Sequence, residues 1–325
     1  MRFVTFAPQP GIERFGVLLR DGRIADLEGA FAACLAREIS RDRARELARA
    51  MAPASALAFI EGGGTSLAAA RRALEFAEAT PNASGPRGEK ILFAPGDVKL
   101  LAPLPRPRKF IAAGKNHLSH QKEMQGREDP DQPKLPIAHV QFASTVVGPD
   151  ETVAMPKETR HMDYEVELAV VIGRRAWNVP KDRARDYVFG YTIFNDLTDR
   201  DMYRGEYFDG GAIGCLGKNF AGFSPMGPVL VTKDEIADPY NLCLRSRVNG
   251  ELRQDGSAKT FQYNIEDQVS HWSRIGLDPG DMLGTGTPGG VAAGRKKGET
   301  PWWLKKGDLV ECEIENIGVL RTRIA

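Results

Sequence analysis

Residues 163–168 read Asp163-Tyr164-Glu165-Val166-Glu167-Leu168, with a carboxylate at every second position. In an extended strand that period sets Asp163, Glu165 and Glu167 on one face and Tyr164, Val166 and Leu168 on the other. Neighbouring like charges repel, so either water on an exposed edge strand or a bound cation must offset them. Two features favour a cation. Residues 169–172 continue the strand with apolar side chains on both faces, the pattern of a buried strand, and unpaired carboxylates are costly there. Phe194-Asn195-Asp196 then ends a second apolar and aromatic run with a further carboxylate. Oxygen-only ligation of this kind suits a hard divalent ion, Mg2+ or Mn2+, with positions left open for water and substrate. Zinc would need His or Cys ligands instead.

Residues 114–124, GKNHLSHQKEM, follow a short apolar run and read as a turn entering a helix, with Asn116 as N-cap. At i, i+3 spacing His120 and Glu123 share a helix face. A carboxylate that fixes one imidazole nitrogen leaves the other free to take a proton from water, the architecture of a general base. A solvated helical turn has the same spacing, and His117, three residues before His120, competes for the role. Residues 125–136, QGREDPDQPKLP, are polar and broken by three prolines. They form either a surface excursion or a lid over a site.

Two glycine-rich segments imitate nucleotide motifs. Residues 284–289, GTGTPG, satisfy G-x-G-x-x-G, but Pro288 falls inside and no long helix follows, so the strand-turn-helix context of a dinucleotide site is missing. Gly217-Lys218-Asn219 resembles the end of a phosphate-binding loop, yet Ala212 stands where its first glycine belongs and Asn219 where Ser or Thr would hold Mg2+. What remains is a lysine, Lys218, and a threonine, Thr287, in loops where glycine lets backbone N–H groups approach a ligand. An ammonium there can offset a ligand carboxylate or a developing enolate, although a solvated lysine and a plain turn threonine fit the pattern as well.

The elements that would carry these groups fall into two parts. Residues 2–6 and 15–19 are short β-prone runs punctuated by Gly11, Asp21 and Gly22, and residues 30–51 and 66–79 have helix-forming, Ala- and Arg-rich composition broken near Pro53 and at Gly62 to Gly64. APLPRPR at 102–108 cannot be a helix or a central strand, which places a boundary between a small N-terminal α/β domain, 1–105, and a longer domain, 106–325. In the latter, strand-like segments at 109–112, 167–172, 228–232, 243–248 and 309–314 outnumber short helical ones at 181–187 and 267–275. Regular strand-helix alternation is absent, so a mixed, mainly antiparallel sheet is expected rather than a doubly wound parallel one.

Composition agrees with a folded enzyme-sized chain: 325 residues, 42% hydrophobic and 27% charged. The 44 Lys+Arg and 43 Asp+Glu give a net charge of +1, without the footprint of a nucleic-acid or polybasic membrane binder. Cys34, Cys215, Cys243 and Cys312 form neither a C-x-x-C pair nor a disulfide framework. With no signal-like or membrane-spanning run, a cytoplasmic location is expected.

In order and spacing the chain resembles the fumarylacetoacetate hydrolase superfamily. The stretches that carry the resemblance are GKNHLSHQKEM (114–124), DYEVELAVVIG (163–173), GYTIFNDLTDRDM (190–202), GKNF (217–220), VNGELRQ (248–254), LDPGDMLGTGTPGGV (277–291) and LKKGDLVECEIENIGVLR (304–321). The resemblance implies an α+β fold, a mixed, mainly antiparallel β-sandwich roll, usually dimeric. It implies that Glu165, Glu167 and Asp196 hold Mg2+ or Mn2+ (or Ca2+ in a crystal), and that His120 and Glu123 form the catalytic dyad, choosing His120 over His117. Lys218 and Arg200 match active-site cations, with Tyr203, Gly286 and Thr287 at the substrate. The chain departs from the family pattern at Gln141-Phe142-Ala143-Ser144-Thr145, where members commonly read LKPST, and at Asp199-Arg200-Asp201-Met202-Tyr203, where they read ARDIQ.

The activity expected on this basis is metal-dependent hydrolysis of a carbon–carbon bond in an acylpyruvate or other 1,3-diketo acid, a small anionic substrate. His120 would activate water, and Lys218, with Arg200, would stabilise the departing enolate. Decarboxylation of a 2-oxo acid, or hydration or dehydration of a 2-keto-3-deoxy sugar acid, would use the same enolate. Binding of metal or ligand without catalysis is the reading from another class.

Overall fold

A computed structural model describes residues 1–203, 216–296 and 298–325; Cys215 and Ala212 lie outside the described residues. The chain opens with strands β1 (Arg2–Gln9), β2 (Ile12–Leu18) and β3 (Ile24–Asp26), followed by helices α1 (Leu27–Leu35), α2 (Arg41–Met51), α3 (Ala56–Glu61) and α4 (Gly63–Ala79). Strands β4 (Leu92–Phe93), β5 (Lys99–Leu101) and β6 (Phe110–Gly114) lead to α5 (Leu118–Gln125), then to β7 (Ile137–Gln141), β8 (Val146–Val147), β9 (Glu151–Val153), β10 (Met162–Asp163), β11 (Val166–Ile172), β12 (Val188–Asn195) and β13 (Thr198–Asp199). The last part contains α6 (Arg200–Tyr203), β14 (Ser224–Thr232), β15 (Cys243–Val248), β16 (Glu251–Ser257), α7 (Ile265–Trp272), β17 (Met282–Gly284), β18 (Leu309–Ile314) and β19 (Gly318–Ile324).

The larger sheet runs β4-β3-β2-β1-β14-β12-β11-β17-β6-β7, antiparallel except where β17 and β6 run parallel and where β8 joins β14. A smaller sheet, β16-β15-β18-β19-β9, packs on one face of it. Along β15 and β18 every second residue is buried, and Leu244, Val310, Cys312 and Leu320 share a core with Tyr191, Ile193 and Val231 of the large sheet. The opposite face is covered by the N-terminal helices, where Phe59 of α3 lies 5.1 Å from Phe3 and 5.0 Å from Phe15 between ring centroids. Being covered on both faces, β11 and β12 are buried at every residue, which is why their sequences show no alternation of polarity. Gly190 lets β12 and β14 meet: a Cβ there would lie 2.1 Å from the Val231 carbonyl oxygen.

The fold is thus mixed α+β with mainly antiparallel sheets, as expected from the sequence. The sheet is continuous across the proline-rich 102–108 segment, because β1 pairs with β14, Arg2 opposite Val231.

Several local expectations need correction. Residues 30–51 are two helices, and Gly63 and Gly64 begin α4 instead of breaking it. Residues 181–187 are a 3-10 helix, and α7 stops at Trp272 before a 3-10 turn. The carboxylate strand is also interrupted. Asp163 belongs to β10 and Glu167 to β11, while Glu165 lies between, where the Asn195 carboxamide accepts its N–H at 3.0 Å and Gln254 accepts the Val166 N–H at 3.1 Å. The break turns Asp163 away from the other two, towards the N–H groups of Ala292 and Ala293 at 2.7 and 3.1 Å.

Candidate active site

Val166 of β11 is paired with Asn195 of β12, and the N–H of Asp196 donates to the Glu165 carbonyl at 2.9 Å. This register brings Glu165, Glu167 and Asp196 together, each offering an oxygen within 4.8 Å of the others. All three are buried. Gly284 leaves room for them, because a Cβ there would lie 2.6 Å from Glu167 Oε2. The neighbouring Gly286, at φ 91°, donates its N–H to that oxygen at 3.0 Å.

Four buried carboxylates, counting Asp163, face two buried cations. Lys218 Nζ donates to Glu165 Oε2 at 2.6 Å and to Asp196 Oδ2 at 2.7 Å. Arg200 donates to Asp163 at 2.9 Å and also to Glu165. Burial would raise the Glu165 carboxyl, but Lys218 and then Arg200 hold it well below its usual range. Burial likewise works against both cations, and their carboxylate partners nevertheless push them above their ordinary values. Glu167 has no such cation bonded to it. Burial, then Asp196 and Glu165, push its carboxyl well above the usual range, and its Oε1 is buried without a hydrogen-bond partner. With every group ionised the cluster is two charges negative, which one divalent ion neutralises. An orphaned carboxylate oxygen beside two further carboxylates fits a hard cation such as Mg2+ or Mn2+.

The cluster opens into a cavity of about 390 Å3, also lined by Lys115, His120, His139, Tyr203 and Thr287. His120 projects from α5 with Nδ1 buried and unpartnered. Its distance to Glu123 Oε2 is 3.8 Å, too long for a hydrogen bond, and that oxygen accepts the Gly290 N–H at 2.8 Å. His120 and Glu123 are therefore neighbours without a direct bond. His117 is buried away from the cavity wall, and burial pushes its imidazole down to about 4. Thr287 Oγ1 donates to the Val166 carbonyl at 2.9 Å and accepts from Gln254 at 2.8 Å, so its proton is already committed. The Tyr203 ring lies 5.4 Å from Lys218 Nζ and 5.8 Å from the Arg200 guanidinium carbon.

Asn116 does not cap α5. His117 occupies that position, and the Asn116 carboxamide instead donates to Thr285 O at 2.8 Å and accepts the Tyr263 N–H at 2.8 Å, tying the turn after β6 to the glycine-rich loop. The 125–136 segment is tied down as well. Gln125 exchanges two hydrogen bonds with the Asp131 main chain, at 2.9 and 2.8 Å, and the Pro133 carbonyl accepts from the Tyr263 hydroxyl at 2.6 Å.

Sequence reasoning missed His139 and Gln141. Gln141 Nε2 donates to Asp196 Oδ1 at 2.5 Å, and His139 Nε2 lies 3.2 Å from Asp196 Oδ2. They alternate on β7, so a two-residue period of polar groups in an otherwise apolar strand was the available signal. Asp163, expected on one strand face with Glu165 and Glu167, instead anchors Arg200.

Over most of its length the chain is similar to known proteins. The family model described as Fumarylacetoacetate (FAA) hydrolase C-terminal matches residues 109–325. The chain is 40% identical over 275 residues to the rat protein named oxaloacetate tautomerase Fahd2a, mitochondrial, covering 84% of this chain and 80% of that protein. It is 38% identical over 278 residues to oxaloacetate tautomerase YisK of Bacillus subtilis (strain 168), covering 84% and 87%. Among solved structures, fumarylacetoacetate hydrolase from psychrophilic Exiguobacterium antarcticum superimposes with a TM-score of 0.71 at 30% identity, over 100% of this chain and 99% of that one. A 5-carboxymethyl-2-hydroxymuconate delta-isomerase from Mycobacterium smegmatis gives 0.68 at 26%, over 100% and 99%.

Proposed function

The chain belongs to the fumarylacetoacetate hydrolase superfamily, and from that premise we propose that it is a divalent-metal-dependent enzyme that interconverts the keto and enol forms of oxaloacetate or a closely related short 2-oxo acid. Relatives named oxaloacetate tautomerases support the substrate class. The observation that carries the reaction is His120. Its imidazole lines the cavity beside the carboxylate cluster, while the carboxylate that would orient it for water activation is bonded to the Gly290 amide. An imidazole placed in this way is suited to moving a proton directly on and off a substrate carbon.

Glu165, Glu167 and Asp196 would hold the ion, Mg2+ or Mn2+. When bound, it supplies a Lewis acid that favours the enolate form of a 2-oxo acid. Arg200 and Lys218 fix Glu165, and Lys218 also fixes Asp196, so the donor oxygens are set before substrate arrives. His120 takes the proton from the carbon next to the carbonyl and returns it on reversal. Thr287 lines the cavity and the Gly286 N–H holds Glu167, with Tyr203 beside the two cations.

Carbon–carbon hydrolysis of an acylpyruvate is the second reading. It is favoured by Glu123 lying within 3.8 Å of His120, close enough for a small shift to complete a water-activating dyad. A panel of oxaloacetate, acylpyruvates and keto-deoxy sugar acids, incubated with Mg2+ or Mn2+ and analysed by mass, separates the two. Consumption of enol oxaloacetate without new carbon fragments, abolished by chelator, is expected. Cleavage of an acylpyruvate into two acids would move the assignment to hydrolase.

The same reading leaves residues 1–105 as the part that extends the large sheet and covers one of its faces, and 106–325 as the part that carries the chemistry, with a homodimer as the expected assembly. Among the described residues no helix is long and apolar enough to cross a membrane.

A further inference from the structure

Three described Lys and Arg residues line the cavity, and two are already committed. Arg200 and Lys218 are buried and bonded to the carboxylate cluster. Lys115 is exposed at the same cavity, and among the described residues no ion pair or hydrogen bond engages its ammonium. Asp131, an acidic group lining the cavity outside the cluster, is paired with Arg127 at 2.5 Å.

Lys115 also has an unusual backbone. At φ 51° it occupies the left-handed region, which a lysine seldom adopts. The surrounding turn enforces this: the Asn116 carbonyl accepts the Gln262 N–H at 2.8 Å and its carboxamide is held from Thr285 and Tyr263. Strain maintained at a cavity wall directs attention to what the side chain does there.

We propose that Lys115 receives the distal carboxylate of a dicarboxylic 2-oxo acid whose 2-oxo acid end lies at the carboxylate cluster, and so sets a preference for dicarboxylic over monocarboxylic substrates. The assignment rests on the 2-oxo acid reading of the site. The reason is one of charge: the 2-oxo acid end would meet the ion held by the cluster, whereas the distal carboxylate of a dicarboxylic acid finds no cation there, because Arg200 and Lys218 are already bonded to carboxylates. An uncommitted ammonium at the same cavity is the group suited to it.

Calorimetry on the Mg2+-loaded protein with freshly dissolved oxaloacetate and with pyruvate, which lacks only the distal carboxylate, tests the assignment. The wild type should bind oxaloacetate at least about tenfold more tightly. Lys115→Met should bring oxaloacetate down to the affinity of pyruvate and leave pyruvate nearly unchanged, while Lys115→Arg keeps the preference. Lys122→Met removes the same charge from α5, where Lys122 is paired with Glu128 at 2.8 Å, and should change neither ligand. The proposal fails if the wild type shows no preference, if the preference survives Lys115→Met, or if Lys122→Met abolishes it equally. Enol–keto turnover is read separately. Its absence with the preference intact would overturn the activity and leave the Lys115 subsite standing, and turnover without the preference would do the reverse.

Discussion

His120 and Glu123 lie 3.8 Å apart with no hydrogen bond between them, and that gap separates two chemistries. If His120 moves a proton on carbon, its own loss should lower turnover by about 10² to 10⁴, whereas Glu123→Gln, which keeps an acceptor for the Gly290 amide, should cost less than about tenfold. If water must be activated, both substitutions should fall into the larger range. Steady-state kinetics of His120→Ala and Glu123→Gln, with metal binding measured in each, decide between the two outcomes. The clustered carboxylates were legible because residue type carried the information: a buried run bearing Glu165 and Glu167 needs a cation wherever it lies. Gln141 was not, since its bond to Asp196 spans 55 positions and only the pairing of β7 with β6 brings it there. The placement of Asp163 was misread for a related reason, because a period of two applies only while the strand continues.

At the scale of elements, helix α1 shows how burial and capping interact. Its N-cap, Asp26, accepts the Gly29 N–H, yet burial pushes the carboxyl up to about 6 from an ordinary 3.8. The folded protein therefore binds a proton more tightly at this site than the unfolded chain does. Stability from this group is full below about pH 4 and declines as pH rises through about 6, by on the order of 2–3 kcal/mol. Asp26→Asn retains a good N-cap and has no charge to bury. Urea midpoints measured between pH 4 and 7 should fall less steeply for Asp26→Asn than for the wild type, and parallel curves would mean that Asp26 does not titrate in this way. Element types were largely readable from composition, but limits were not. The 30–51 stretch has helical composition throughout, and only the packing of α1 and α2 as separate helices against α4 places the turn at residues 36–40. Asn116 looked like a cap because it precedes a helix, but its carboxamide serves a distant loop.

The whole molecule consists of three layers, a small sheet, a large sheet and a helical cover, and its active cluster forms where the most enclosed strands end. That cover is contributed by the first hundred residues: Phe189, Phe194 and Leu230 of the large sheet share their core with Phe31, Phe59 and Ala73. A chain beginning at residue 106 would expose this surface and leave one edge of β14 without β1. It should aggregate or fail to unfold cooperatively, and a cooperative thermal transition with retained metal binding would show that the catalytic part folds alone. The sequence suggested a break at the prolines because they exclude regular structure locally, but a pairing between residues 2 and 231 leaves no local trace. The net charge of +1 likewise hid the two uncompensated negative charges of the cluster.

On the proposed function, the site moves a proton at the carbon next to a 2-oxo acid carbonyl. Deuterium incorporation at that carbon of oxaloacetate, followed by NMR in D2O, measures this directly. With Mg2+ the protein should accelerate exchange well above the buffer rate and leave the carbon skeleton intact, and chelator or His120→Ala should return it to the buffer rate. Exchange at the buffer rate with the metal demonstrably bound would contradict the account.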